Sequence, residues 1–261
     1  MFSKFVNDVK QYHKYAIYAA KSQLKAEVAN SYLNWLWWVL DPVCFMLIYT
    51  FIFGVVFDGR ELYFPVFIFV GLSMWDFFNR CTKASVKMVR SHKAVVSKVY
   101  LPKFILVISD MIVNGFKMMI SFGIVLAMMI VFRVPFRLTF FWIIPILLTF
   151  ILFTFGCCVY LLHYGVYVED LSNVITIVLR LVFYVTGIFY DVEKRLPAPY
   201  NMWAASCNPL AFLIGSARNS MLYGEMPYLL LLLIWFCISL LLAAMGIRKI
   251  YKNENNYVKV I

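Results

Sequence analysis

Six long apolar runs alternate with polar connections in this sequence. They cover approximately residues 35–57, 62–79, 104–132, 138–162, 171–190 and 227–247. A helix needs about 20 mainly apolar residues to cross a hydrocarbon core of roughly 30 Å. Since lipid offers no hydrogen bonds to an exposed backbone, runs of this length are typical of membrane-spanning helices. The sequence therefore predicts an all-α integral membrane protein with six transmembrane helices.

The composition favours a single membrane domain over residues 1–261. Hydrophobic residues make up 64% of the chain and charged residues only 14%, whereas soluble domains carry about 25% charged residues. We expect residues 31–247 to form the six-span body and residues 248–261 a cytosolic tail. The six cysteines show no CxxC spacing, so we interpret them as small hydrophobic residues and assign no metal site.

Lysines and arginines are distributed unevenly between the two sides of the predicted membrane. Sixteen lie in the N-terminal segment, residues 80–103 and the C-terminal tail, and six lie in connections on the opposite side. Positively charged connections tend to stay in the cytosol, so both termini are predicted to be cytosolic. The net charge of +11 is then a topology signal, and we expect no nucleic-acid partner.

Residues 1–30 have the period of an amphipathic helix. Lys10, Lys14, Lys21 and Lys25 share one face, and apolar residues such as Val9 gather on the other. This pattern predicts an interfacial helix at the cytosolic membrane surface. Two interpretations stay open: the helix lies on anionic lipid alone, or it also packs against a cytosolic partner.

A short helix that begins after Asn208 and ends at Gly224 is predicted between the fifth and sixth spans. Asn208 is a suitable N-cap, Pro209 suits the first helical position, and Gly224 suits the end. Fifteen helical residues extend only about 22 Å, which is too short to cross the membrane. With residues 192–206 it is predicted to form an external re-entrant hairpin, either an exit gate that holds Arg218 toward a pore or a plug that pairs it internally.

Several segments in order resemble the membrane subunits of ABC-2 type transporters, in particular permeases for polysaccharide, O-antigen and teichoic-acid export. These segments are YLNWLWWVLDPVCFMLIYTFIFG (32–54), KVYLPK (98–103), VYVEDL (166–171), TGIFYDVEKRLP (186–197) and NPLAFLIGSARNSMLYG (208–224). Two departures stand out: Asn34 replaces a common glycine, and Glu169 replaces the usual arginine beside Asp170.

The resemblance implies a homodimer in which each copy binds a separate ATP-binding cassette subunit. The chain has no Gly-x-x-x-x-Gly-Lys-Ser/Thr segment, so we expect no cofactor in this chain, and ATP and Mg bound by the partner subunits. The implied substrate is a lipid-linked glycan, and the implied location, among membrane lipids, is the cytoplasmic membrane of a bacterium.

Two sets of candidate site residues follow. Residues 80–103 are basic and are predicted to project a helix from the cytosolic surface, and the turn after the fourth span is acidic. By match to the family's pattern, the predicted ATPase-coupling surface comprises Lys87, Lys93, Lys98, Tyr100, Tyr167, Glu169 and Asp170. The predicted substrate pathway, chosen for cations that suit phosphate and aromatic rings that suit sugars, comprises Arg80, Lys83, Arg180, Tyr184, Phe189, Tyr190, Trp203 and Arg218.

Charges inside predicted spans are expensive and need partners or a function. Asp76 and Arg80 lie four residues apart, which predicts a local ion pair, and Arg180 has no acid at a neighbouring position of its own helix. A polar stripe that either joins helices or lines a pathway is formed by Asp110, Asn114 and Lys117.

Three functions compete at this stage. The first is ATP-driven export of a lipid-linked polysaccharide, and the second is export of a drug, lipid or small peptide by the same fold. The third is a membrane-embedded glycan-modifying enzyme, for which His163 and Asp170 are the available acid–base pair. That pair needs a helical turn, which Gly165 argues against, and we assign no catalytic residue.

Overall fold

The computed structural model describes residues 2–29, 32–56, 61–195, 197–198 and 200–260. Within them the chain is helical and contains no strand, so the predicted all-α class is confirmed. The α-helices are α1 (Phe2–Val28), α2 (Trp37–Thr50), α3 (Phe64–Ser91), α4 (Lys93–Val96), α5 (Phe104–Val131), α6 (Ile143–Tyr167), α7 (Leu171–Val185), α8 (Val192–Arg195), α9 (Tyr200–Cys207), α10 (Pro209–Arg218) and α11 (Leu229–Val260). Two π-helical turns, Phe51–Val56 and Asn219–Tyr223, follow α2 and α10.

Four helical segments are long and apolar enough to cross a membrane: Trp37–Gly54, Phe104–Val131, Leu138–Tyr167 and Leu229–Glu254. The other two predicted spans coincide with α3, which has 28 residues but a charged second half, and α7, which has only 15 residues. Residue 57, where we predicted the first span to end, lies outside the described residues.

The basic stretch 80–103, which we predicted to project a helix from the cytosolic surface, is divided between two helices. Its first part continues α3 without interruption to Ser91, and the four-residue α4 (Lys93–Val96) follows. No proline or glycine lies between residues 80 and 91 to end it. The C-terminal tail likewise continues α11 to Val260.

The core is organised around α3. Residues 66–70 of this helix are fully buried, and α3 packs against α2, α5, α6 and α7 while α11 packs along α6. Aromatic side chains fill the contacts, with Trp75 against Phe183 at 5.3 Å and Phe77 against Phe150 at 5.7 Å between ring centroids. The helices α2, α3, α5, α6, α7 and α11 coincide with the six predicted spans, and we call them the six long helices. We call the end of the bundle with α1 and α4 the basic end, and the end with α8–α10 the hairpin end.

At the basic end, a cluster of polar side chains joins α11 to α1 and to the start of α5. The Tyr100 hydroxyl donates to Glu254 Oε2 at 3.1 Å, and Lys103 Nζ lies 3.6 Å from Glu254 Oε1, with both charged side chains buried. The Tyr251 hydroxyl donates to Asp8 at 2.5 Å. The Tyr100 side chain is half-exposed, but partial burial of its hydroxyl, and then the Glu254 carboxylate, raise the pKa of Tyr100 to about 12, so this hydroxyl stays a donor at neutral pH.

At the hairpin end, Arg218 fastens α10 to the rest of the protein. Its side chain is 3% exposed, and Nε, Nη1 and Nη2 donate to the carbonyl oxygens of Phe67, Gly187 and Ile188 at 2.9, 2.8 and 2.7 Å. The guanidinium also lies 3.6 Å from the Phe67 ring centroid. A Cβ at Gly71 would overlap the guanidinium, so this glycine makes room for the arginine.

The caps predicted for the short helix are confirmed. The Asn208 side chain accepts hydrogen bonds from the backbone N–H groups of Leu210 and Ala211, Pro209 begins α10, and Gly224 takes a φ of 71° after the π turn. Residues 196 and 199, within the other predicted half of the hairpin, lie outside the described residues.

The interruption predicted at Gly165 is wrong, because α6 continues through this residue to Tyr167. Gly165 lies where α6 closely approaches α3, and a Cβ there would overlap the carbonyl group of Val86. The glycine therefore serves helix packing rather than helix termination.

We predict that Gly165→Ala lowers the free energy of unfolding by about 1–3 kcal/mol, because the new methyl group forces α6 away from α3. Gly123→Ala is the matched control in α5, where an added Cβ meets nothing within 4 Å, and it is expected to be neutral or slightly stabilising. Unfolding of both variants is followed in an SDS titration by tryptophan fluorescence. Equal stability of the two variants would contradict the close approach of α6 and α3.

We predict that Arg218→Met lowers the free energy of unfolding by about 3 kcal/mol, because three buried carbonyl oxygens lose their donors. Arg195→Met removes an exposed arginine at the same end and is expected to change stability by less than about 0.5 kcal/mol. The same titration measures both, and an unchanged midpoint for Arg218→Met would show that its three hydrogen bonds do not hold α10.

Candidate functional site

A polar groove with a volume of about 520 Å³ runs between α2, α3 and α7. Its lining residues lie within 41–49 of α2, 72–83 of α3 and 179–184 of α7. Four of the predicted pathway residues line it: Arg80, Lys83, Arg180 and Tyr184. The groove also contains Asp41, Tyr49, Ser73, Asp76 and Asn79.

The ion pair in this groove joins two helices. We predicted a pair between Asp76 and Arg80 within α3, but Arg80 Nη2 lies 3.3 Å from Asp41 Oδ2 of α2. Asp76 still lines the groove beside Arg80 and interacts with its charge. The Asp41–Arg80 contact therefore holds the α2 wall of the groove to the α3 wall.

Two cations in the groove have no such partner. Arg180 is exposed on the α7 wall, and Lys83 is exposed on the α3 wall. Neither side chain makes a hydrogen bond or salt bridge to another residue that the structure describes. The Asp76 carboxylate interacts at longer range with the charge of Lys83 as well as with that of Arg80. Arg180 is therefore the groove cation most available to an anionic group.

Aromatic rings close the groove toward the hairpin end. Phe189 stacks on Phe53 with centroids 4.1 Å apart and lies 4.8 Å from Tyr49 and 5.3 Å from Phe183. Phe189 is buried within this cluster, whereas Tyr184 is 65% exposed and faces the groove. The exposed part of this aromatic wall is suited to the apolar faces of sugar rings.

The remaining predicted pathway residues lie outside the groove. The Tyr190 hydroxyl donates to the backbone oxygen of Tyr184 at 3.0 Å, so it supports the end of α7. Trp203 is 67% exposed on α9. Arg218 is buried on the carbonyl groups of Gly187 and Ile188, which is the internal pairing expected of a plug.

A second polar pocket, of about 230 Å³, lies between α1, α2, α3 and α5 and shares Asp41, Asp76 and Arg80 with the groove. Lys117 Nζ lies 2.6 Å from Glu27 Oε2 at the end of α1. The predicted polar stripe on α5 therefore joins helices. Sequence reasoning missed Asp41 and Glu27, since neither has a local signal that points to its distant cation.

The predicted coupling residues lie at the basic end. Arg90 of α3 contacts Glu169 Oε1 at 2.8 Å and donates to the carbonyl oxygen of Val166 at 3.1 Å. The Tyr167 ring lies 5.3 Å from His163 and 6.1 Å from Tyr257 between centroids. Exposed on the same end are Lys87, Lys93, Lys98, Tyr100 and Asp170. Glu169 thus has a defined partner in this chain, and that partner is an arginine.

The acid–base pair considered for an enzyme is not brought together. His163 Nδ1 lies 2.6 Å from the Tyr257 hydroxyl, while Asp170 is exposed after the end of α6. Among the described residues, no group of three or more His, Cys, Asp or Glu side chains has the arrangement of a metal site.

Sequence comparisons place this architecture among known transporters. The family model for the ABC-2 type transporter matches residues 17–222. Two similar proteins from Klebsiella pneumoniae are both named O-antigen export system permease protein RfbA. One is 24% identical over 239 residues, which cover 91% of each chain. The other is 26% identical over 206 residues, which cover 78% of this chain and 79% of the relative. A Myxococcus xanthus protein of the same name is 25% identical over 228 residues, or 86% of each chain. Because the family match extends from α1 to the π turn after α10, the chain belongs to the ABC-2 type transporter family.

Proposed function

We propose that this chain is the membrane-spanning subunit of an ATP-driven exporter that moves a lipid-linked O-antigen-type polysaccharide across the cytoplasmic membrane of a bacterium. The family membership supports transport, and the shared name of the three relatives supports an O-antigen cargo. In this proposal all six long helices cross the membrane, and the basic end and both termini face the cytosol.

The observation that carries the proposal is the unpaired Arg180 on the wall of a polar groove. An arginine at the level of the hydrocarbon costs at least about 2.5–3.5 kcal/mol when it faces lipid. The groove therefore has to face water or protein. A second copy of the chain, placed against the exposed faces of α2 and α7, would close two grooves into one path and remove both arginines from lipid.

The chemistry of the groove fits the two parts of such a substrate. Arg180 and Lys83 suit the phosphate groups of a lipid carrier, because charge-assisted hydrogen bonds to phosphate are strong. The Tyr184 and Tyr49 rings suit the sugar units that follow, because flat aromatic faces bind sugar rings without fixed hydrogen-bond geometry. A path of this kind holds a repeating polymer weakly at each unit and lets it advance.

The hairpin end serves as a seal in this proposal. Arg218 anchors α10 to α3 and to the turn after α7, so α10 moves only together with the helices that bound the groove. Opening of the exit then requires a shift of α3 or α7 rather than an independent swing of the hairpin.

ATP and Mg are bound by partner subunits in this proposal, which dock at the basic end. The Arg90–Glu169 contact joins the end of α3 to the turn between α6 and α7. A partner that pushes on this turn therefore acts on two helices that line or support the groove. Lys98, which follows α4, and Asp170, in the turn between α6 and α7, are both exposed. They offer charges of opposite sign to a partner.

We predict that Arg180→Ala reduces export at least about tenfold, because the groove loses a cation that binds phosphate. Surface polysaccharide is measured by immunoblotting in cells that carry the variant as their only copy. Arg180→Lys keeps the charge and is expected to retain most of the export. Arg133→Ala is the matched control, since Arg133 is exposed at the hairpin end after α5. Normal export by Arg180→Ala would show that the groove is not part of the substrate path.

We predict that Lys98→Glu and Asp170→Lys each uncouple ATP hydrolysis from export while the chain still inserts into the membrane. Reversal of an exposed charge disturbs a docked surface more than it disturbs folding. The readouts are the rate of ATP hydrolysis by the co-purified complex and the export rate, whose ratio is expected to rise at least about fivefold. Lys252→Glu, an exposed reversal on α11, is the control. Wild-type ratios for both variants would contradict the assigned coupling surface.

A further inference from the structure

A cavity of about 800 Å³ lies at the basic end between α1, α3 and α5. Ala16 and Ala20 are buried where α1 packs against α5, and Ser109 Oγ donates to the backbone oxygen of Ala16 at 3.2 Å. The small alanines let the two helices approach closely. Beside this contact, toward α3, the space stays open and is lined by the apolar side chains of Ala19, Ala84, Met88 and Leu106.

The polar rim of this cavity carries an excess of positive charge. Lys83 and Lys87 lie four residues apart on one face of α3, and both are exposed. Neither makes a hydrogen bond or salt bridge to any residue in the described part of the chain. His92 lies beside them, and the acid in the lining, Asp110, already accepts a hydrogen bond from Asn114 at 3.0 Å.

In the proposed membrane orientation the two lysines lie toward the cytosolic headgroups, because they follow the apolar half of α3 in the direction of the basic end. The apolar half of α3 ends at Phe78, and Lys83 and Lys87 follow within the next three turns. Tyr15, Tyr18 and Ser22 of α1 line the cavity opposite α3 and carry hydroxyl groups. The polar end of a ligand bound here would contact ammonium and hydroxyl donors. Its apolar part would contact the alkyl side chains that line the cavity.

We propose that this cavity binds the phosphate headgroup of an anionic phospholipid, with Lys83 and Lys87 on the phosphate and the start of an acyl chain against Met88 and Leu106. Lysine ammoniums are flexible point charges without the fixed fork of arginine. Such a site binds weakly and selects for charge, so the bulk anionic lipid of the surrounding leaflet fills it. The bound lipid bridges α1 and α3, which makes the packing of α1 dependent on anionic lipid. Lys83 also lines the groove of the proposed substrate path, whereas Lys87 lines the cavity but not the groove and Arg180 lines the groove but not the cavity. Variants of Lys87 and Arg180 therefore distinguish the two sites.

The test is lipid binding to the purified full-length chain by native mass spectrometry. Phosphatidylglycerol and phosphatidylcholine with identical acyl chains are titrated separately, and the affinity of the first bound lipid is compared. The wild-type chain is expected to prefer phosphatidylglycerol on the order of tenfold, since each lysine near a headgroup favours an anionic lipid by about fivefold. The double variant K83Q/K87Q is expected to lose this preference and K87Q to reduce it, whereas K83R/K87R and the groove variant R180Q are expected to keep it.

The matched control is R248Q/K252Q, which removes two exposed cations with the same spacing from α11, outside the cavity. It is expected to retain the preference, and equal unfolding midpoints of the two double glutamine variants exclude a folding defect. An unchanged preference in K83Q/K87Q, or an equal loss in R248Q/K252Q, would overturn the site. Displacement of phosphatidylglycerol by an equimolar polyprenyl diphosphate would assign the cavity to the carrier lipid instead.

Discussion

A positive charge within hydrocarbon needs a partner, and this constraint accounts for how the polar side chains in the middle of the bundle are arranged. Lys117 reaches Glu27, Arg80 reaches Asp41, and Arg218 reaches three carbonyl oxygens. Each of these contacts joins two elements that are distant in sequence. The interactions that satisfy the cations therefore also fix how α1, α2 and α10 sit against α3 and α5.

Two cations of the groove make no hydrogen bond or salt bridge to the described residues, and they differ from these paired cations in position as well. Arg180 and Lys83 are exposed in the same groove, and that groove is bounded by the Asp41–Arg80 contact. If unpaired charges were simply tolerated at helix surfaces, they would be expected near the ends of helices, where side chains extend to water. Arg180 lies well inside α7 instead. Its placement is explained when the groove contains water and an anionic substrate.

Local features of this fold were predictable from the sequence, and long-range pairing was not. Apolar run lengths located the long helices, and the caps at Asn208 and Gly224 were correct because capping depends on neighbouring residues. The partners in the Arg80–Asp41 and Arg90–Glu169 contacts are 39 and 79 residues apart, and helical periodicity carries no information about such pairs. Gly165 was misinterpreted for a related reason, since a glycine that ends a helix and one that allows close packing look the same without the neighbouring helix.

The arginine that the family pattern places at position 169 is a glutamate here, and the structure gives this exchange a physical meaning. Glu169 contacts Arg90 of α3 at 2.8 Å, so a cation and an anion still meet between α3 and the α6–α7 turn. An arginine at position 169 would face Arg90 with like charge and would push the turn away. If the partner subunits press on this turn, the attraction transmits the movement to α3, the helix that carries Lys83 and Arg80. In the coupling proposed above, the ion pair between α3 and this turn, rather than the identity of residue 169, is the property that carries the movement.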